Sequence, residues 1–125
     1  MKMIRIMSIA AVFASLCLTS RAEEEFKING DPVKGKETYK LYCAACHGET
    51  GRGDGLASAA LNPKPRNFTD KALMDTVTDA AMFKIIKEGG VAVGKSMFMT
   101  AWGPVLNDDQ KIHDVAAFVR TLAAE

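Results

Sequence analysis

The chain has 125 residues, with 16 Lys and Arg against 15 Asp and Glu, for a formal net charge of +1. That balance argues against a nucleic-acid binder, which needs a strongly basic face. The length suits one small domain, whose core is marginal unless a disulfide, a metal or a cofactor staples it.

Met1 to Arg5 carries Lys2 and Arg5, an apolar run covers Ile6 to Leu18, and Thr19-Ser20-Arg21-Ala22 follows. A basic start, a short apolar stretch and small residues at Ser20 and Ala22 predict a secretory signal peptide, cut after Ala22. The run is shorter than the roughly 20 residues that span a bilayer. Residues 1–22 are therefore expected to be removed, leaving 23–125 as one exported domain with no membrane insertion. Cys17 leaves with the signal, since Leu16 before it is too large for a lipidation site. Loss of Lys2, Arg5 and Arg21 turns the charge from +1 to −2. Cys43 and Cys46 remain, and a disulfide between them would close too short a loop to stabilise much. A large apolar cofactor is the better staple.

Glu23-Glu24-Glu25 reads as a frayed, charged start. Asp31 as N-cap and Pro32 at the first helical position open a helix expected to reach Ala44. Gly35, Tyr39 and Tyr42 or Cys43 fall near one face of it. A mid-helix glycine costs about 1 kcal/mol relative to alanine, and a close helix crossing would explain it. Gly48 to Asp70 is a long loop, rich in glycine and then in proline, with a short helical stretch expected near Leu56 to Leu61. So long a loop in a compact domain is usually functional or disordered. Thr78-Asp79 begins a helix over Asp79 to Glu88, with Met82, Ile85 and Ile86 as its apolar stripe and Gly89-Gly90 as its stop. A second loop, Val91 to Leu106, holds Met97, Met99 and Trp102. Asn107 with Gln110 reads as the capping box of a last helix carrying Ile112, Val115, Ala116, Val119 and Leu122 at helical spacing. No alternating strand pattern occurs. The expected fold is all-α, with three main helices and two long loops able to wrap a ligand.

Cys43-Ala44-Ala45-Cys46-His47 is the haem-attachment signature. Two thiols three residues apart can add to two vinyl groups on neighbouring pyrroles, and the adjacent imidazole can then bind the iron. A structural zinc site would need a fourth ligand, from His113 or a carboxylate. A thioredoxin-like disulfide would need a β-α-β setting, which the pattern lacks. Haem in electron carriers usually has a second protein ligand, and a thioether paired with His raises the potential. Met82 reads as core and Met74 has no distinguishing context, whereas Met97 and Met99 lie in the loop that must fold back over the cofactor. His113, between apolar positions of the last helix, reads as solvent-facing.

These residues resemble the small class I bacterial cytochromes c, over Gly35 to Leu122. Gly35 and Tyr39 match a Gly-x-x-x-aromatic pattern in the first helix, and His47 to Gly55 matches a glycine-rich loop. Met99-Thr100-Ala101-Trp102-Gly103 matches a Met-Pro-Ala-Trp-Gly loop, with Thr100 where proline is usual. The resemblance implies the small cytochrome c fold around one covalent haem c, on Cys43 and Cys46, with His47 and Met99 as axial ligands and Met97 as runner-up. It also implies that the Pro63 carbonyl accepts from His47, and that Gly35 packs near Val115 and Phe118. Trp102 is expected against the haem edge or the methionine loop, and Arg66 is a candidate partner for a propionate.

The function expected is a periplasmic one-electron shuttle, monomeric and not an enzyme, serving a protein donor and acceptor. Lys36, Lys40, Lys64, Lys71 and Lys95 are candidates to steer an acidic partner, or plain solvated surface. The alternatives are an electron-accepting subunit of a periplasmic dehydrogenase or oxidase complex and, last, an open-site haem enzyme or gas sensor.

Overall fold

A computed structural model describes residues 24–124. The expected signal peptide and its cut after Ala22 lie outside the described residues. Within them the fold is all-α, as the sequence implies, with no strand. Three long helices form the frame: α1 (Pro32–Tyr42), α4 (Asp79–Glu88) and α6 (Asp109–Leu122). Three four-residue helices punctuate the connections: α2 (Ala44–His47), α3 (Lys71–Met74) and α5 (Gly103–Leu106). Among the described residues, no helix is long and apolar enough to cross a membrane.

Helix α1 starts as its sequence dictates. The Asp31 carboxylate accepts from the Val33 N–H at 2.8 Å, and Pro32 occupies the first turn. The helix breaks earlier than the expected Ala44. Cys43, at φ −113°, interrupts it, and α2 resumes one residue later. The stretch near Leu56 to Leu61 is a 3₁₀ turn over Leu56–Ala60. Helix α4 keeps its expected bounds, capped by the Thr78 hydroxyl and stopped at Gly89, which has φ +85°. The last helix departs from expectation. Its N-cap is Asp108, whose carboxylate accepts from Gln110 N–H, while Asn107 adopts φ +47° and ends α5. Asn107 serves as the C-cap of α5, so the N-cap of the next helix falls one residue later, on Asp108.

The core lies where α1 crosses α6, and the crossing is made by glycine. A Cβ on Gly35 would collide with the backbone carbonyl of Asp114 and the Val115 nitrogen. Tyr39, fully buried, puts its ring edge-on to Phe118 at 5.0 Å, as the expected Gly35 packing implies. Asp114 is buried in the same crossing and accepts from Asp31 N–H at 2.8 Å and from Gln110 Nε2 at 3.0 Å.

One reading of the surface is corrected. His113 is not solvent-facing: its ring stacks on Phe26 at 5.6 Å, lies 4.7 Å from Phe83, and accepts from Asn29 N–H at 3.2 Å through Nδ1. The segment that follows Glu23-Glu24-Glu25 is tied to α6 and α4 from Phe26 onward, through the Phe26 ring on His113 and Phe83 and the Ile28 N–H on the Asp79 carboxylate. Periodicity within one helix cannot foresee a cover supplied by residues some 84 positions away. Two turns further along α6, Arg120 donates to the Asp79 carboxylate at 2.8 Å and to the Met74 and Val77 carbonyls, clamping the α3–α4 corner.

Burial alone would raise the Asp79 carboxyl, but the Ile28 N–H and the Arg120 guanidinium outweigh it and hold the group below the usual carboxylate range. A depressed carboxyl contributes stability above its unfolded value, near ~4, and loses it as pH falls through the folded value. Asp79→Asn should therefore lower stability by about 1 kcal/mol at pH 7, with a deficit that shrinks below about pH 4 in denaturant titrations. Gly35→Ala should cost about 1–3 kcal/mol in the same assay at every pH, because two backbones must separate.

Candidate haem site

Cys43, Cys46 and His47 sit at helical spacings of three and four, so they share a face. All three line one cavity of about 470 Å³. Its walls are mostly apolar. Met82, Ile85 and Ile86 come from α4, Val115 and Val119 from α6, and Trp102 from the second long loop. The volume and lining suit a large apolar ligand anchored by a few polar groups.

Cys43 and Cys46 are free, partly buried thiols. Burial, with the neighbouring Cys46, pushes the Cys43 thiol up to about 12, so it is neutral at pH 7. Among the described residues, no group of three or more His, Cys, Asp or Glu side chains is placed to hold a metal ion. The tetrahedral zinc reading thus lacks its ligand set, and His113 is not among the residues lining the cavity.

His47 is held on two sides. Its Nδ1 lies 3.2 Å from the Arg66 carbonyl. A carbonyl only accepts, so Nδ1 carries the proton and Nε2 is left as the nitrogen free to bind a metal. Burial lowers the pKa of the ring, partly opposed by that carbonyl, which keeps the imidazole neutral and ligand-ready at pH 7. The expected partner was the Pro63 carbonyl, and the correction has a local cause. The Phe68 N–H is anchored on the Gly51 carbonyl at 2.6 Å and its ring stacks on His47 at 4.3 Å, which brings the carbonyl two residues earlier to Nδ1. Pro63 lines the cavity instead.

The loop after His47 is drawn in by backbone bonds. Gly53 N–H donates to His47 O at 2.7 Å and Gly55 N–H to Cys46 O at 3.1 Å. A Cβ on Gly55 would strike the Ala45 carbonyl, so close approach explains that glycine. Tyr39 adds a contact that the sequence reading missed. Its hydroxyl donates to Gly48 O at 2.7 Å, and burial, then Cys43 and Asp54, pushes the phenol well above its ordinary value. Only its place on a helix face was legible, not the reach of its hydroxyl.

The methionines separate by position. Met99 is partly buried and lines the cavity, whereas Met97 is 76% exposed and does not. Met74 and Met82 also line it, both as buried core residues. The Met99 loop is pinned despite Thr100 standing where proline is usual. Gly90 N–H donates to Met99 O at 2.9 Å and Trp102 N–H to Ile86 O at 2.9 Å. Gly89-Gly90 does more than stop α4, since it also receives the methionine loop. A Cβ on Gly90 would collide with the Ser96 carbonyl and come 3.2 Å from the Met99 Cβ. Trp102 packs against Tyr42 of α1 at 5.3 Å and lines the cavity.

Of the five candidate steering lysines, Lys64 and Lys95 border the cavity. Lys64 donates to the Ser58 carbonyl at 2.7 Å, and Lys71 is paired with Asp75 at 2.9 Å. Lys36 and Lys40 are exposed on α1. Arg66 lines the cavity in addition to lending its carbonyl to His47.

Two thiols, a neutral imidazole with its far nitrogen bonded and a thioether therefore face one apolar space, a donor set that fits an iron porphyrin. The comparisons agree. The cytochrome c family model matches residues 32–123, from α1 through α6. The cbb3-type cytochrome c oxidase subunit CcoP of Azospirillum sp. (strain B510) is 33% identical over 117 residues, covering 86% of this chain and 32% of its own length. The chain thus spans about a third of that curated relative. Among solved structures, a chain of the reducing HAO-like protein complex Kustc0457/Kustc0458 of Kuenenia stuttgartiensis is 29% identical with a TM-score of 0.60, over 78% of this chain and 45% of the other. The chain belongs to the cytochrome c family, a family of haem electron-transfer proteins, and Cys43 and Cys46 supply the motif by which it binds haem c covalently.

Proposed function

We propose that the chain is a periplasmic carrier of single electrons, with His47 and Met99 as axial ligands and no bond-making chemistry of its own. The observation that carries this reading is the common cavity: both cysteines, His47 and Met99 line it, and Met97 is turned out to solvent. When bound, the haem supplies a one-electron couple whose potential a His/Met pair raises. The protein residues do the rest. His47 presents a neutral nitrogen, Met99 offers a soft thioether on a pinned loop, and the apolar walls keep water away. Export rests on the pattern of residues 1–22. A carrier of this kind serves a protein donor and a protein acceptor, with Lys64 and Lys95 the lysines best placed beside the cofactor.

A second reading has its own support. CcoP is named as a subunit of an oxidase, and the solved relative belongs to a complex. A role as the electron-accepting subunit of a larger periplasmic redox assembly is supported by that likeness, and co-purification with a larger protein would favour it over a free monomer. An open-site haem enzyme or sensor is the least supported, because two backbone hydrogen bonds hold the Met99 loop at the cavity.

Optical spectra of the purified protein in both oxidation states test the proposal. Colour should survive acid–acetone extraction, and the ferric form should show the far-red sulfur-to-iron band. Met99→Ala should abolish that band while Met97→Ala leaves it. Loss of the band in Met97→Ala alone would overturn the assignment. Ready carbon monoxide binding by the reduced wild type would favour the open site. Gly90→Ala should speed displacement of the sulfur ligand by added imidazole about tenfold, in line with an overpacking cost of ~1–3 kcal/mol in the loop.

A further inference from the structure

The geometry points to Phe68 as the residue that fixes the plane of the axial imidazole. This inference rests on His47 being the haem ligand, and it adds a positioning residue that neither the motif nor the family assignment names. The Phe68 and His47 rings lie 4.3 Å apart at centroids and 16° from parallel. A single hydrogen bond of 3.2 Å from Nδ1 tolerates a swing of the ring about its bond to Cβ. A flat ring against its face does not, because the two surfaces would have to separate or interpenetrate.

Phe68 is itself braced. Its N–H donates to Gly51 O at 2.6 Å, and the buried Tyr39 ring meets it edge-on at 6.5 Å. Gly51 has φ +78°, a backbone conformation that strains any side chain, and a Cβ there would come 2.6 Å from the Leu122 Cδ1 and 3.4 Å from the Phe68 Cβ. The bracing therefore runs from α6 and α1 through Phe68 to His47. One short segment applies both restraints, the Arg66 carbonyl at the ring edge and the Phe68 ring on its face. In the haem-loaded ferric protein the orientation of the axial ligands would govern how unpaired spin spreads over the porphyrin, so Phe68 would influence that asymmetry through His47 without touching the iron.

The test compares wild type, Phe68→Leu and Phe68→Tyr as haem-loaded proteins. In the ferric form, proton NMR reads the order and spread of the four haem methyl resonances, which follow the orientation of the axial ligand planes. Phe68→Leu should reorder or compress them, and Phe68→Tyr, which keeps the flat ring, should restore the wild-type pattern. A residue that merely fills space would lower stability and leave the methyl order alone, and an unchanged order in Phe68→Leu overturns the proposal. Should Phe68→Leu fail to fold, the diamagnetic ferrous wild type decides. Cross-peaks between Phe68 and His47 ring protons are expected, and their absence overturns the proposal. Failure of the underlying reading looks different, since the wild type would then show no covalent haem or no low-spin spectrum at all.

Discussion

Everything in this molecule is set by the contact between the backbones of α1 and α6. Gly35 lets the two helices approach until the Asp114 carbonyl occupies the space of a missing Cβ. That approach brings the C-terminal end of α1, which leads directly into the attachment motif, to the flank of α6, where Val115 and Val119 form one wall of the cavity. Tyr39, one turn beyond Gly35, fills the crossing and spends its hydroxyl on the residue that follows His47. A wider crossing would move the motif away from its wall and open the cavity to water. The close contact is thus as much a requirement of the site as of the fold.

The cavity also explains why so short a chain holds together. The apolar stripe of α4 and the inner face of α6 both turn toward a shared space that their own side chains do not fill. A large apolar cofactor in that space removes surface from water at about 25 cal/mol per Å², and covalent attachment keeps it there. Arg120 strengthens the same wall from outside by holding the corner that carries Met74 and Val77. Stability and cofactor binding are therefore two aspects of one set of contacts.

The proposed axial residues, His47 and Met99, are held by the loops, which work through backbone groups more than side chains. The Arg66 carbonyl orients His47, while Gly90 and Ile86 anchor the Met99 loop through its carbonyl and through the Trp102 N–H. Glycines at these approaches leave room for carbonyls to come close. This is why Thr100 can replace a proline without releasing the loop: its position is held by hydrogen bonds on either side rather than by a stiff residue.

The sequence by itself determined the chemistry and the three long helices, because each depends on residues close together in the chain. The Cys-x-x-Cys-His spacing, the Asp31-Pro32 start and the stripe of α4 are all local signals, and all hold. The tertiary structure alone decided what depends on distant partners. It chose Arg66 over Pro63 because the placement of Phe68 against Gly51 and His47 sets which carbonyl reaches the ring. It separated Met99 from Met97, which spacing could not, by turning one into the cavity and the other out. It packed His113 beneath Phe26, and moved the last cap from Asn107 to Asp108 by ending α5 there. Periodicity reports which face of an element is apolar, but only the folded chain determines what comes to lie against it.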